Sequence, residues 1–411
     1  MEGIKRVVLD NGLVILMEKR PYTKEVVILV GTKSGSMHEN DKVAGITHFI
    51  EHMLFRTNQW RTTQEVTDEL ESAGAEINAY TDQDSMCFYA KTLPSEISKT
   101  FRIIFEAAIN KQYQKDEFLR EKDAILSEIK LGVEDHFSYV YSNLFIPTLF
   151  KGTGLQGLVP GTAKTVGGLT PRQLLEYKKM IFVPNKPMAV VVVGQFKEEQ
   201  VVGEIRKTFG TLPEGLANVE TPIPVLNEKF RVVEKRKGID QAYLAMGFRV
   251  PGQLDPDMFK LALLEGILTG GMSCRLFREL RDKRGIGYMV GSELGGLDGV
   301  GSFCFVVSVY DPQRLAEVEE VIRAELHDLK TNLVGAYELE KAKNLIVRSH
   351  YDALEMSENR ANRILMHEFQ KIPYDFRKFD QYIRRLSSRS VREAAQKYFT
   401  ENYILAALIP E

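Results

Sequence analysis

The chain repeats itself, and the repeat limits what it can fold into. TPRQLLEYKKMIFVPN, starting at Thr170, and SSRSVREAAQKYFTEN, starting at Ser387, align without a gap at an offset of 217. Arg172 meets Arg389, Glu176 meets Glu393, Phe182 meets Phe399 and Asn185 meets Asn402. The same shift pairs a helical stretch opening at Pro94 with one opening at Asp311, so two distant parts of the chain agree on one internal duplication. Each copy must then bury a core of its own, which a chain of 411 residues with 44% hydrophobic content can do twice. The aperiodic, Pro- and Gly-rich stretch from Gly210 to Phe230 separates the copies, giving expected domains at 1–218 and 226–411.

Within the first copy, β-rich runs (Val7 to Met17, Val26 to Val30, Ala75 to Thr81, Met86 to Leu93, Met188 to Val193) alternate irregularly with helical stretches of period 3.6. This pattern predicts an α+β fold of two duplicated domains, each a mostly antiparallel sheet packed with helices. Thr62 and Glu65 form a capping-box pattern and Gly74 stands where a helix would stop, so a helix should lead into a hairpin that turns at Asp82-Gln83.

Charge and cysteine usage narrow the function classes. The 54 basic and 56 acidic residues nearly cancel, and no basic run interleaves with aromatics, which argues against a nucleic-acid partner. The N-terminal MEGIKRVVLDNGLVILMEKR reads as strand, Asn11-Gly12 turn and strand rather than a secretory signal. No apolar run reaches the roughly 18 residues of a membrane span. Cys87, Cys274 and Cys304 are odd in number and widely spaced, as expected of buried thiols in a reducing compartment. A cytoplasmic protein is expected. Gly270-Gly271 lacks a P-loop lysine and reads as a turn.

The chemistry lies in THFIEHMLF. His48 and His52 are one helical turn apart, so their imidazoles face one way, and Glu51 lies on the same side, where its carboxylate can take a proton from metal-bound water. A catalytic zinc needs a third protein ligand. In KDEFLREKDAILSEIKLGVED, Glu121 and Glu128 are two turns apart on one helix face, with Phe118, Ala124, Ile125 and Ile129 read as the opposite, docking stripe. One carboxylate can bind metal while the other orients a histidine.

These residues resemble the pitrilysin family of inverzincin metallopeptidases, which includes insulin-degrading enzyme and the mitochondrial processing peptidase. The likeness runs through LDNGLVILMEK, AGITHFIEHMLF, GAEINAYTDQDSMCFYAKTLP, FLREKDAILSEI, GGMSCRLFRELRDKRGIGYMV and GVGSFCFVV. It implies zinc held by His48, His52 and Glu128, with Glu51 as general base and Glu121 in support. It also implies a peptide substrate added as a strand along Ala75, Glu76, Ile77, Asn78 and Ala79, with Phe55 lining the pocket. Arg281 and Tyr288 match a pair that reaches bound peptide from the family's C-terminal region and are suited to stabilising an oxyanion.

The second copy has Glu265 and Thr269 in place of the two histidines and LIVRSH around the counterpart of Glu128, so one zinc per chain is implied. Long family members enclose peptides with four domains. A two-domain chain is therefore expected to dimerise, as a homodimer or with a homologous subunit. The expected activity is zinc-dependent endopeptidase action on unfolded peptides or oligopeptides. The alternatives are a dedicated leader-peptide processing peptidase and a non-catalytic scaffold or partner subunit of a processing peptidase. Two departures from the family pattern, Arg56-Thr57-Asn58 after HMLF and Ser127 before Glu128, leave the pocket shape and the hydrogen bonding around the site open.

Overall fold

The computed structural model describes residues 3–184, 187–214, 228–297 and 299–411. Asn185 and the boundary positions 218 and 226 lie outside these residues. Among the described residues eleven strands form two sheets: β1 (Ile4–Val8), β2 (Val14–Lys19), β3 (Val26–Thr32), β4 (Glu76–Thr81), β5 (Met86–Thr92) and β6 (Met188–Gly194) in the first, and β7 (Phe230–Arg236), β8 (Ala242–Val250), β9 (Val290–Gly296), β10 (Gly301–Val309) and β11 (Ile404–Pro410) in the second. The first sheet runs β1-β2-β6-β3-β5-β4 and the second β7-β11-β8-β10-β9.

The sheets express the duplication directly. Apart from β1, the order is the same, and each sheet holds one parallel pair, β2 with β6 and β7 with β11. Helices Pro171–Ile181 and Ser388–Tyr398 coincide under the shift of 217, each opened by a capping box, at Thr170 and Ser387. Cys87 and Cys304 stand at matching places in β5 and β10, and all three cysteines are buried and unlinked. The fold is mixed α/β, two sheets packed with helices.

In the first sheet the central strands β3 and β6, VVILVGT and MAVVVVG, are buried along their whole length. Uninterrupted apolar runs of this kind mark strands covered on both faces. Gly12 closes the β1–β2 hairpin at φ 84°, a conformation that asks for glycine. Helices α1 (Ile46–His52), α2 (Thr63–Ser72), α3 (Ile97–Ile109) and α4 (Lys115–Glu134) follow in this half. Thr62 and Glu65 make the capping box of α2, and β4 returns antiparallel as β5 through a turn in which Asp82 N–H donates to Ser85 O at 2.8 Å.

The compact units are not contiguous halves. One comprises Met1–Leu131, Gly157–Thr221 and Ala353–Lys371; the other comprises Gly132–Gln156, Pro222–Asp352 and Ile372–Glu411. The division at 218 and 226 therefore needs this amendment: each half lends a helical segment to the other's sheet. Gly31, next to the end of β3, marks this contact in the first unit. A Cβ there would lie 2.4 Å from a methyl of Leu365 in helix Ser357–Gln370, so the Leu365 side chain occupies the space a larger residue would take. Gly247 in β8 does the same beneath Phe145, which a Cβ would approach to 2.7 Å.

Lys178 closes the end of α3. Its ammonium is buried and donates to Ala107 O at 2.6 Å, a carbonyl in the last turn of that helix. Burial pushes this amine from 10.5 down to about 7. Above 10.5 it is neutral in both folded and unfolded chains; between 7 and 10.5 only the unfolded chain holds the proton, so this group makes stability rise with pH across that window. Lys178→Met should flatten the rise in melting temperature measured between pH 7 and 10.

Candidate metal centre

The site is built on α1, a helix of only seven residues. Such a helix is marginal alone and has to be held from outside. Ile46, Phe49 and Ile50 anchor one side in the core, followed by Met53 and Leu54. At its start the carboxylate of Glu39 accepts Gly45 N–H at 2.6 Å and Thr47 N–H at 2.8 Å. Gly45, at φ 92°, packs so closely on Pro160 that a Cβ would lie 2.6 Å from its carbonyl oxygen. Thus the N-terminus of α1 is fixed by a carboxyl acceptor and by close packing. Sequence reading missed Glu39, because a carboxylate six residues before a glycine cap follows no capping pattern.

Through the same core α1 meets α4. Phe118 and Ile125 are buried, with Leu126 and Ile129 partly so, and Phe118 stacks on Phe49 with centroids 4.7 Å apart. Ala124, expected in the docking stripe, is exposed. The stripe is not opposite the carboxylates but beside them: Phe118 and Glu121 are three residues apart, about 60° around the axis. Docking α4 through this stripe turns Glu121 and Glu128 toward α1.

There the donors converge. Glu128 Oε1 lies 3.6 Å from His48 Nε2 and its Oε2 lies 3.4 Å from His52 Nε2. A tetrahedral zinc with ligands at about 2.05 Å would space them about 3.3 Å apart, so the three groups suit such an ion. Their ligand atoms all fall within 4.8 Å of one another, and they are the only such group among the described residues. His52 Nδ1 faces Glu121 Oε2 at 3.3 Å, the arrangement in which a carboxylate orients a metal-binding histidine by taking the Nδ1 proton and leaving Nε2 for an ion. Glu121 is held in turn by Arg56 at 2.8 Å. Burial, aided by the neighbouring His52 and opposed by Glu128, lowers His48 to about 4, so its imidazole is neutral at pH 7, as a ligand must be.

Glu51 is also largely buried, and burial raises its carboxyl above the usual range, against the lowering effects of Thr81 and His52. The Thr81 hydroxyl donates to Glu51 Oε2 at 2.7 Å. A raised carboxyl beside a metal suits a general base.

The two departures from the expected pattern now have roles. Arg56 pairs with Glu121. Thr57 donates N–H and hydroxyl to Glu117 of α4 at 3.1 and 2.8 Å, so the loop after α1 is tied to the helix that carries Glu128. Ser127 bonds back to Asp123 O at 2.8 Å on the exposed side of α4.

Of the expected peptide-docking residues, Glu76, Ile77, Asn78 and Ala79 lie in β4, the end strand of its sheet, hydrogen-bonded among the described residues to β5 alone. Ala75 lies just before the strand, its N–H donating to Leu70 O of α2. Asn78 Oδ1 accepts the N–H of Ala79 at 2.8 Å. Phe55 is partly buried, its ring centroid 6.3 Å from that of Phe88. In the second unit, Arg281 sits in a wide π-type turn with its guanidinium 4.2 Å from the ring centroid of Tyr288 and 4.7 Å from that of Phe277. Tyr288 is 59% exposed. The structure thus brings together His48, Glu51, His52, Glu121 and Glu128 in the first unit, and Arg281 with Tyr288 in the second.

Known proteins agree with this architecture. The family model for insulinase (peptidase family M16) matches residues 14–156, and that for the peptidase M16 inactive domain matches residues 168–346. A Bacillus subtilis (strain 168) protein described as an uncharacterized zinc protease, YmxG, is 26% identical, with 99% of this chain and 98% of that protein covered. The crystal structure of a protease from Helicobacter pylori superposes with a TM-score of 0.89 at 22% identity, covering 98% of this chain and 99% of that one. That of a peptidase M16 inactive domain from Pseudomonas fluorescens gives 0.87 at 18%, covering 99% and 98%. Both structures share the fold. With two models of one family over most of its length and relatives matched nearly end to end, the chain belongs to the M16, or pitrilysin, peptidase family in its two-domain form.

Proposed function

We propose that the chain is a zinc-dependent endopeptidase acting on unfolded peptides or oligopeptides. The observation that carries this reading is the spacing of His48 Nε2, His52 Nε2 and the Glu128 carboxylate, which suits a tetrahedral ion, with Glu51 on the same helical turn as the two imidazoles. A bound zinc supplies Lewis acidity toward the peptide carbonyl and makes water acidic enough to lose a proton at neutral pH. His48, His52 and Glu128 would hold it. Glu51 takes the proton from the attacking water and returns it to the leaving amine, a double duty suited to a carboxyl raised by burial. The edge of β4, unpaired among the described residues, accepts the peptide as an added strand through backbone hydrogen bonds, which demand no particular sequence.

Arg281 and Tyr288, already paired, offer donors to the developing oxyanion. In a homodimer each chain would lend this pair to its partner's zinc. Three buried thiols without disulfides suit work in the cytoplasm. No helix among the described residues is long and apolar enough to cross a membrane.

Glu51→Gln should retain about one zinc per chain in metal analysis and cut turnover of a generic unfolded peptide by about three orders of magnitude. His52→Ala should lose the metal itself. A Glu51→Gln variant as active as wild type contradicts the assignment, and a metal-free, inactive wild type supports a non-catalytic subunit instead. Glu121→Gln should weaken zinc binding by about 10- to 100-fold in a chelator competition, since it orients His52 without touching the ion.

A further inference from the structure

We infer that Thr81 is the positioning residue of the general base, holding the Glu51 carboxylate in one rotamer through its hydroxyl and setting it from the strand on which the peptide docks. This rests on the peptidase reading above. Thr81 ends β4, on the same face as Ile77 and Ala79, which pack toward the core that carries α1. Its hydroxyl donates to Glu51 Oε2 at 2.7 Å, the one hydrogen bond to that carboxylate among the described residues. A carboxylate needs only one oxygen to accept a proton, so occupying Oε2 leaves Oε1 to do it.

The two ends of this bond are set in one frame. The turn that follows Thr81 is fixed by the segment after Gly35: Ser36 N–H donates to Asp82 O at 3.1 Å and Met37 N–H to Gln83 O at 2.9 Å. Gly35 itself approaches so closely that a Cβ would lie 2.3 Å from Asp82 O. The same segment runs directly into Glu39, whose carboxylate fixes the N-terminus of α1. One short stretch, Gly35 to Glu39, therefore anchors both the strand end bearing Thr81 and the helix bearing Glu51. The hydroxyl and the carboxylate meet because both backbones are pinned to it.

A base held this way gains rate by starting in its working orientation rather than searching for it. Other groups acting on Glu51 are His52 and Glu128, both electrostatic neighbours in the metal cluster and neither a hydrogen-bond donor to it here. The Thr81 hydroxyl is bonded to Glu51 and not to the three candidate ligands, so removing it takes no hydrogen bond from the metal residues.

The test uses the full-length chain as wild type, Thr81→Val and Thr81→Ser, with two independent readouts. Crystal structures of the zinc-loaded proteins should show Glu51 in a single rotamer in wild type and Thr81→Ser, but turned or split over several in Thr81→Val, with His48, His52 and Glu128 superposing throughout. Kinetics on an unfolded peptide should show Thr81→Val with wild-type zinc content, KM within about twofold and kcat lowered about 10- to 100-fold, and Thr81→Ser restoring kcat to within about threefold of wild type. Glu51 unmoved in Thr81→Val, an unchanged kcat, or a Ser variant as impaired as Val overturns the inference. If wild type cleaves no peptide, the peptidase reading fails, while the Glu51 rotamer still decides the role of Thr81.

Discussion

Everything functional in the first unit depends on a seven-residue helix being held still. Too short to be stable by its own hydrogen bonds, α1 takes its order from three outside holds: the Glu39 carboxylate on its first N–H groups, the apolar side packed into the core, and α4 alongside. The last of these also creates the metal cluster, because the stripe that docks α4 lies beside its acidic face and swings Glu121 and Glu128 onto the histidines. Preorganisation of this kind gives one structure two properties: the candidate ligands are near the spacing of a tetrahedral ion, and Glu51 beside them is buried enough to have its carboxyl raised.

Around that cluster the polar groups are layered. Arg56 holds Glu121, Glu121 faces His52, and Thr57 ties the following loop to Glu117 one turn earlier on α4. The exposed Glu128, half open to solvent, completes the set from the outside. Such layering holds the orientation of the His52 ring.

Much of this was legible in the sequence, for physical reasons. The helix period places His48, Glu51 and His52 on one side, and the shift of 217 foretells two sheets of like order, because a repeat must bury like faces. Central strands read as apolar runs and are buried. What escaped was long-range. Glu39 and Thr81 act through contacts with residues that periodicity cannot pair with them, and the exchange of helical segments between halves shows only once Gly31 is seen beneath Leu365 and Gly247 beneath Phe145. Of the stripe expected on α4, Phe118, Ile125 and Ile129 do pack and only Ala124 is exposed; what differs is that the stripe lies beside the carboxylates rather than opposite them, since residues three or four apart on a helix are close around its axis.

The claim on which the rest turns is that the two imidazoles of α1 and the carboxylate of α4 close on one ion. Zinc-edge X-ray absorption of the purified chain reads that first shell without reference to any substrate. The account predicts two imidazole nitrogens with one or more oxygens, all at about 2.0–2.2 Å and without sulfur. A spectrum lacking imidazole scattering, or dominated by sulfur, would contradict it.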